Sequence, residues 1–412
     1  MKVAVVSKSD VRGGGASAVA ADVTRYLQKF GHTAVHFNAD DDSQHPIYGG
    51  AGPVIRALKN LEGKRGYRDH NPFELLSSTV RSLRQDFDIV HMHDLSTTLS
   101  HEAVNWISQK TPVLWTLHDC SPFTAGCLYP TNCTQFQSTC EFCPQLGNWP
   151  MQTRKNRVKT LHTRRKKLQQ ENVHFSAPSR WMIEQYKSAG WPADKAHFIT
   201  NGVDLEGFRL RNVSEMRKKH DIPDDGRPVY LFSASHLGDS RKGPNKVAEI
   251  ARIMEDKDPV IVLVGRYSEL AADLFEGLSV VHAGFVKDQE TRAELYSLCD
   301  TAFVFSEEEN CPLIVLECLA SGTPIAGFAN GGIPELVDNG VTGILTKNKI
   351  EPIVEFLREL TPEKLTDIRK SCREAATSGH NYEDICNSYI KLYQQILGGT
   401  VSGASQPATA GA

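Results

Sequence analysis

Long hydrophobic runs are absent from this sequence. No window of its 412 residues approaches the roughly 20 apolar residues that a transmembrane helix needs. Near the N-terminus, the apolar run of residues 3–6 is much shorter than the core of a signal peptide, and polar residues follow it. The sequence therefore predicts a cytoplasmic protein whose only membrane contact would be peripheral, at the inner membrane face.

A strong charge of one sign is also missing. The chain has 46 Lys and Arg against 49 Asp and Glu, and its formal net charge is -3. This balance argues against a general nucleic-acid binder. The length, in contrast, exceeds what one hydrophobic core usually organises, so we expect two domains of ordinary size.

Short β-rich runs alternate with helical patterns twice along the chain, which is typical of α/β folds with doubly wound parallel sheets. The first half has predicted strands at residues 3–6, 34–37, 89–92, 113–117 and 174–177. The second half has them at residues 229–232, 260–264, 280–283, 302–305 and 325–328. We expect Rossmann-like domains over 1–204 and 205–380, a terminal helix over 381–397 on a domain surface, and a disordered tail over 398–412. Two such domains would bind a ligand in the cleft between them, at the carboxyl ends of their strands.

Two carboxylates flank a predicted strand-to-helix turn in the second half. Glu309 precedes a helix that is expected to begin after Pro312, and Glu317 lies one to two turns into that helix. Free backbone N–H groups at the helix start would face a phosphate, while the two carboxylates could accept hydrogen bonds from hydroxyls on either side of it. These N–H groups are expected at Asn310, Cys311, Leu313 and Ile314. The arrangement suits a diphosphate that carries a sugar at each end, which is a nucleotide sugar.

This segment resembles the Glu-x7-Glu signature of the retaining, GT-B-fold glycosyltransferases of family 4. Other motifs that resemble the family follow in order along nearly the whole chain: Arg12-Gly-Gly-Gly15, Asp88-Ile-Val-His-Met-His93, Thr116-Leu-His-Asp119, Ala177-Pro-Ser-Arg-Trp181, Asn201-Gly-Val-Asp204, Arg241-Lys-Gly243, Val264-Gly265 and Gly331-Gly-Ile-Pro-Glu335. Residues 124–144 look more narrowly like bacterial members that build surface polysaccharides, of the colanic-acid type.

The resemblance implies two Rossmann-like domains that face each other across a cleft, with the terminal helix crossing back to the N-terminal domain. It implies a hexosyltransferase that moves a sugar from a nucleotide diphosphate donor to the hydroxyl of a glycan or lipid-linked acceptor. No metal would act at the diphosphate, and no cofactor would be required. Glu309 would hold the transferred sugar, Glu317 the ribose hydroxyls, and Glu335 would help to close the donor pocket.

The glycines of the first loop have two interpretations. Gly14 and Gly15 form either a tight turn into the first helix or a loop whose backbone closes on the diphosphate or the acceptor. Ser17 and Ala18 follow at the positions two and three residues after Gly15, so the loop lacks the Gly-x-Gly-x-x-Gly spacing of a dinucleotide fingerprint. A hydride-transfer cofactor is therefore disfavoured.

A basic pair on the first loop of the second domain is the candidate partner of the diphosphate. Lys242 would supply a positive charge to the leaving group, and Arg241 could supply a planar fork. Many family members have Gly-Arg-Leu upstream, where this chain has Ser235-His236-Leu237. Arg241 is therefore either a compensating phosphate ligand or a solvated surface charge.

His118 is the candidate residue of the first domain. It ends a predicted parallel strand, a position that faces the cleft and allows a hydrogen bond to the sugar or to the acceptor hydroxyl. The resemblance implies a sugar-contacting histidine here. His91 and His93 share one face of a neighbouring strand and are more typical of packing or of support for a neighbouring side chain.

A loop over residues 120–146, called the cysteine loop below, carries four closely spaced thiols. Cys127, Cys133, Cys140 and Cys143 could meet the tetrahedral demand of a structural Zn²⁺ and so order the loop. Such a zinc would not be catalytic, because all four ligand positions would be filled. A redox or disulfide clip and unlinked thiols are the alternatives, the former disfavoured because cytoplasmic thiols stay reduced.

Residues 154–167 contain eight Lys and Arg and no acid. A solvated helix face is the default interpretation. The alternative is a surface that faces anionic lipid or a lipid-diphosphate acceptor, with Val158, Leu161 and Leu168 as an apolar edge.

Two functions of other classes share these motifs. A GT-B epimerase would convert a nucleotide sugar without any acceptor, and a non-catalytic scaffold that senses nucleotide sugars would bind UDP or GDP without turnover.

Overall fold

Two parallel six-stranded sheets form the protein, which is described here from a computed structural model over residues 1–40, 42–64, 72–95, 98–148, 150–170 and 172–398. The strands are β1 Lys2–Val6, β2 Thr33–Phe37, β3 Ile89–Met92, β4 Val113–Thr116, β5 Val173–Ala177, β6 Ala196–Phe198, β7 Val229–His236, β8 Val260–Arg266, β9 Val280–Gly284, β10 Thr301–Val304, β11 Ile325–Phe328 and β12 Gly343–Thr346. Their spatial orders are β2-β1-β3-β4-β5-β6 and β12-β11-β10-β7-β8-β9. The predicted fold class, two doubly wound α/β domains, is confirmed.

The connections between the strands are mostly helical. The α-helices are α1 Gly15–Lys29, α2 Gly52–Lys64, α3 Ser78–Leu83, α4 His101–Ser108, α5 Val158–Lys166, α6 Arg180–Ser188, α7 Val213–Lys219, α8 Pro244–Ile253, α9 Glu269–Phe275, α10 Gln289–Ser297, α11 Leu313–Ala320, α12 Glu351–Glu359, α13 Pro362–Gly379 and α14 Tyr382–Leu397. In α1, Val19, Val23 and Leu27 recur at every fourth position and are fully buried, which is why this segment is an amphipathic helix on the sheet.

Ten of the strands correspond to predicted ones, and two were missed. Both missed strands, β6 and β12, lie at the outer edge of their sheets. β6 has three residues and none of them is buried, and β12 begins with a glycine. Neither carries the continuous apolar run that marks a strand covered on both faces.

The strand orders reverse beside β1 in the first sheet and beside β7 in the second. At such switch points the connections leave in opposite directions, which opens a crevice at the carboxyl ends of the strands. The loop with Gly14 and Gly15, called the glycine loop below, follows β1. The Arg241-Lys242 turn follows β7, and the turn with Glu309 follows β10. The topology thus brings three predicted ligand-binding segments to the two crevices.

The last helix returns to the first domain. Ile385, Tyr389 and Leu392 of α14 lie in one hydrophobic cluster with Val3 and Val5 of β1. Where the chain crosses between the domains, Val203 N donates to His380 O at 2.8 Å, so the outward and return crossings are tied together. Beyond Gly398, the predicted disordered tail lies outside the described residues.

The apolar edge predicted for the basic segment is wrong. Val158, Leu161 and Leu168 are buried, with 1%, 6% and 1% of their surface exposed. They anchor this segment to the first domain, because burying these three side chains is favourable. Arg165 is buried with them at 3% exposed, whereas Lys159 and Lys167 remain exposed to water. In the described part of the chain, no helix combines the length and the hydrophobicity needed to cross a bilayer.

Candidate functional site

The two charged turns of the second domain meet at Glu309. Lys242 Nζ donates a hydrogen bond to Glu309 Oε1, and Arg241 Nη1 lies 3.7 Å from the same oxygen. Gly243 makes this approach possible: its φ is +73°, and a Cβ on it would lie 2.6 Å from Phe305 Cβ. Lys242 and Arg241 therefore both approach the mostly buried carboxylate of Glu309, and the sequence nominated all three residues for the donor site.

The helix start beside Glu309 lacks a capping side chain. α11 begins after Pro312, which cannot cap its backbone N–H groups, and the positive end of the helix dipole lies there. The glycine loop comes close to this point, since a Cβ on Gly15 would lie 3.7 Å from Leu313 Cδ1. Gly14 precedes it with a φ of +98°, a conformation that favours glycine. Ile314, in the first turn of α11, is half-buried. An anion would find unpaired donors here.

Asn310 joins the two domains with its side chain. Its Nδ2 donates to Leu117 O at 2.7 Å, and its Oδ1 accepts from Ser179 Oγ at 2.6 Å. The next residue, Cys311, accepts from Asn201 Nδ2 at 3.0 Å through its carbonyl oxygen. Both polar atoms of the Asn310 side chain are therefore hydrogen-bonded across the interface between the domains. Only the backbone of Asn310 is left to contact a nucleotide sugar.

Glu317 is paired with an arginine that the sequence analysis did not nominate. Arg292 Nη2 donates to Glu317 Oε1 at 3.0 Å. Burial raises the pKa of Glu317 to about 7, and the charge of Arg292 opposes this rise. Arg292 lies on α10, and no spacing in the sequence connects it with Glu317.

Glu335 has a different partner from the one predicted. Its two carboxylate oxygens accept from Arg180 N at 2.7 Å and Trp181 N at 2.8 Å. It thus satisfies the N-terminus of α6 in the other domain. Gly331, at the start of the same motif, has a φ of +61°, and a Cβ there would lie 2.0 Å from Glu309 O. The motif packs directly behind Glu309.

His118 lines a cavity of about 50 Å³ at the carboxyl end of β4, together with Asp94 and Asp119. Its Nε2 lies 2.8 Å from Nδ1 of His93, whose ring is fully buried, whereas His118 itself is half-buried. Burial lowers the pKa of His118 to about 4, although Asp94 raises it, so the imidazole is neutral at pH 7. A neutral imidazole can accept a proton or a hydrogen bond.

The support behind His118 reaches the last helix. The rings of His91 and His93 lie 4.2 Å apart, and His91 Nδ1 lies 2.6 Å from Tyr393 Oη of α14. His91 Nε2 also lies 2.7 Å from Thr116 Oγ1. This placement matches the supporting role that the strand alternation suggested for the two histidines. Tyr393 was missed, because nothing local relates it to β3.

The four cysteines of the proposed zinc set line one cavity of about 20 Å³. All are free thiols, and burial raises the pKa of Cys140 to about 11. Among the residues that the structure describes, no three His, Cys, Asp or Glu side chains are placed to hold one ion. Cys127, Cys133, Cys140 and Cys143 are thus neighbours, and zinc stays a prediction.

Comparisons with known families cover both halves of the chain. Residues 13–206 match the family described as Glycosyltransferase Family 4, and residues 212–379 match Glycosyl transferases group 1. The two matches meet at the crossing between the domains, and they contain every nominated site residue.

Similar proteins extend over most of the chain. N-acetyl-alpha-D-glucosaminyl L-malate synthase of Bacillus anthracis is 23% identical over 93% of this chain and 94% of its own length. A putative colanic acid biosynthesis glycosyl transferase of Escherichia coli (strain K12) is 21% identical over 79% of each chain. The Anabaena protein HepE, in a crystal structure with UDP and glucose, has a TM-score of 0.67 at 17% identity, over 96% of this chain and 100% of that chain. The structural likeness confirms the GT-B fold.

Proposed function

Because this chain belongs to the group 1 and family 4 glycosyltransferases with the GT-B fold, we propose that it transfers a sugar from a nucleotide diphosphate to an acceptor hydroxyl with retention at the anomeric carbon. The observation that carries the proposal is the pairing of Lys242 with Glu309 at the uncapped start of α11. A cation, a carboxylate and a helix N-terminus are the groups that a diphosphate with an attached sugar requires.

Charge develops on the departing diphosphate as the glycosidic bond loosens. Lys242, Arg241 and the N–H groups of α11 are fixed where they can stabilise that charge, and fixed dipoles act strongly in a site that excludes water. On donor binding, Lys242 turns from Glu309 to a phosphate oxygen, which frees the carboxylate for a sugar hydroxyl. The pairing of Lys242 with Glu309 keeps both groups within reach of the donor.

The acceptor side lies at the cavity beside His118. The departing phosphate takes the proton of the acceptor hydroxyl on the same face of the sugar, so no enzyme carboxylate acts as a nucleophile. His118, neutral because it is buried, orients a hydroxyl near the reacting carbon. Asn310 supports this arrangement, because it connects the turn that carries Glu309 to the backbone of Leu117 beside His118.

The donor and the pathway are proposed from similar proteins. HepE was crystallised with UDP and glucose, which favours a UDP-sugar as the first donor to test. The similarity to a putative colanic acid biosynthesis enzyme favours an acceptor in bacterial polysaccharide or glycolipid assembly. We place the enzyme in the cytoplasm, at or near the inner membrane face. No metal is assigned to the diphosphate.

A thermal-shift panel of UDP-sugars and GDP-sugars identifies the donor, and NMR of the product then gives the anomeric configuration. An α-linked donor should give an α-linked product, and a β signal would contradict retention. Activity should survive brief exposure to EDTA, whereas immediate loss that Mg²⁺ restores would reject a metal-free site. Conversion of the donor without an acceptor would identify an epimerase instead, and binding without turnover would identify a scaffold.

A further inference from the structure

The cysteine loop crosses the cleft and contacts the second domain. Thr131 N donates to Glu308 Oε2 at 2.6 Å, and the guanidinium carbon of Arg241 lies 5.0 Å from the centre of the Tyr129 ring. Arg241 precedes Lys242, and Glu308 precedes Glu309. The loop therefore touches the immediate neighbours of both residues that form the central ion pair.

Tyr129 gives the guanidinium of Arg241 an aromatic contact from the first domain. Arg241 Nη1 lies 3.4 Å from Glu308 O and 3.7 Å from Glu309 Oε1, and Nη2 lies 3.7 Å from Asp239 Oδ2. This hydrogen bond and these two ion pairs are long, and the Tyr129 ring adds a contact at 5.0 Å, which is well within the range of a cation over an aromatic face. The ring thus fixes the guanidinium near Glu309.

The loop itself is held in position for these contacts. Gln145 Nε2 donates to Tyr129 O at 2.6 Å, which ties the tyrosine to the far end of the same loop. Thr131 has a φ of +52°, a left-handed conformation that is unfavourable for a β-branched residue. That conformation directs its N–H at Glu308, whose carboxylate is 7% exposed. Burial raises the pKa of Glu308 to about 7, and the Thr131 N–H opposes the rise.

We propose that residues 129–131 act as a clasp, in which Tyr129 positions Arg241 and the backbone of Thr131 positions the turn containing Glu308 and Glu309 for the donor diphosphate. This inference rests on the proposed function for its effect on donor binding, but the clasp itself is a contact between domains. Tyr129 and Thr131 act through other residues and are positioning residues. The clasp also gives the cysteine loop a purpose, because Cys127 and Cys133 flank it on either side.

The affinity for the nucleotide diphosphate tests the positioning role of Tyr129. Tyr129→Ala should weaken the affinity for UDP or GDP, whichever the wild type binds, by about three- to thirty-fold, which is the range of one cation–π contact. Tyr129→Phe keeps the aromatic face and should stay within about twofold of the wild type. In activity assays, the donor KM should rise more than the acceptor KM. Phe142→Ala is the control, because Phe142 is an aromatic residue of the same loop that is 65% exposed.

Hydrogen exchange tests the contact between the domains without any assay of catalysis. Glu308→Ala removes the acceptor, so the amide of Thr131 should exchange faster. Glu308→Gln retains an oxygen that can accept this bond and should keep most of the protection. Glu307→Ala, at the exposed neighbouring position, is the control.

These two measurements separate the failure of the clasp from the failure of the proposed function. Unchanged exchange in Glu308→Ala, or equal nucleotide affinity in Tyr129→Ala and the wild type, would overturn the clasp even in an active transferase. If the wild type binds neither UDP nor GDP, the proposed donor class is wrong, and the exchange result alone then decides whether the clasp exists.

Discussion

At the scale of single residues, the central feature is the ion pair between Lys242 and Glu309. Glu309 is mostly buried, and an unpaired carboxylate there would carry a large desolvation cost. Lys242 offsets that cost, and Arg241 adds a second positive charge nearby. Any ligand that separates this pair must therefore replace it with interactions of at least equal strength.

Glu309→Gln tests the role of this carboxylate. The amide keeps the size of the side chain but lacks the charge that strengthens a hydrogen bond from a sugar hydroxyl. We expect a fall in kcat of at least about tenfold, the equivalent of about 1.4 kcal/mol, with a smaller change in the affinity for the bare nucleotide diphosphate. Steady-state kinetics and calorimetry with the verified donor measure the two effects. Glu307→Gln is the matched control, and unchanged turnover in Glu309→Gln would remove Glu309 from the site.

His118→Asn tests the burial of the imidazole through the pH dependence of stability. The folded pKa is about 4, below the ordinary value of 6.5, so between these values the unfolded chain binds the proton and the folded protein does not. The neutral His118 makes its full contribution to the free energy of unfolding above pH 6.5. This contribution is lost as the pH falls towards 4, by about 1.4 kcal/mol per pH unit.

The comparison with the variant isolates this residue. His93 contacts His118 and Asp94 acts on its charge, and both remain in the variant. Urea unfolding at pH 7, 6 and 5 should therefore show the wild type losing stability relative to His118→Asn as the pH falls. Parallel curves would show that His118 titrates normally.

At the scale of elements, the cysteine loop is a long segment with little regular secondary structure. Within residues 120–146 the structure has one short helical turn, Gln135–Gln137, and no strand. Its apolar contacts include Phe123 and Phe136, which are buried against the first domain. A loop of this kind needs either many side-chain contacts or a crosslink to hold a defined shape.

Structural zinc is the crosslink that the four thiols would allow. If Cys127, Cys133, Cys140 and Cys143 bind Zn²⁺, protein purified under reducing conditions should carry close to one ion per chain by elemental analysis. A Cys→Ser change at any of the four should lower that content, because a hydroxyl is a poor ligand at neutral pH. Cys120→Ala, in the same loop but outside the set, should not. Four freely titratable thiols with no metal would leave the clasp to protein contacts alone.

At the scale of the whole molecule, polar side chains hold the two domains together around the cleft. Asn310 of the second domain makes three hydrogen bonds to the first domain, and Glu335 makes two. Helix α14 returns to the first domain and packs on it, which adds a covalent and hydrophobic connection between the two domains. The cleft can therefore open only if specific polar contacts break, while the crossings between the domains stay tied.

Asn310→Ala should loosen this interface. The variant loses the bonds to Leu117 O and Ser179 Oγ, which are together worth about 1 to 3 kcal/mol of the free energy of unfolding. We expect a larger radius of gyration by small-angle X-ray scattering, together with the lower stability. Asn330→Ala is the control, because Asn330 Nδ2 bonds Ser306 O within the second domain. An unchanged radius in Asn310→Ala would show that other contacts keep the cleft closed.

The sequence by itself determined the two α/β domains, because a strand buried on both faces needs a continuous apolar run and a surface helix needs an apolar stripe. It also marked Glu309, Lys242 and His118, since polar residues in the loops that follow such strands lie at the carboxyl edge of a sheet. The sequence did not predict the edge strands β6 and β12, because a strand that is covered on one side only does not require a continuous apolar run.

Only the tertiary structure decided what each polar group meets. Arg292 beside Glu317, the backbone of α6 beside Glu335, and Tyr129 beside Arg241 are partners that come from separate elements. Asn310 and Leu117 are 193 residues apart in the chain, yet Asn310 Nδ2 lies 2.7 Å from Leu117 O. The physical reason is that local periodicity reports which face of an element is buried, whereas a hydrogen-bond partner depends on how separately formed elements pack.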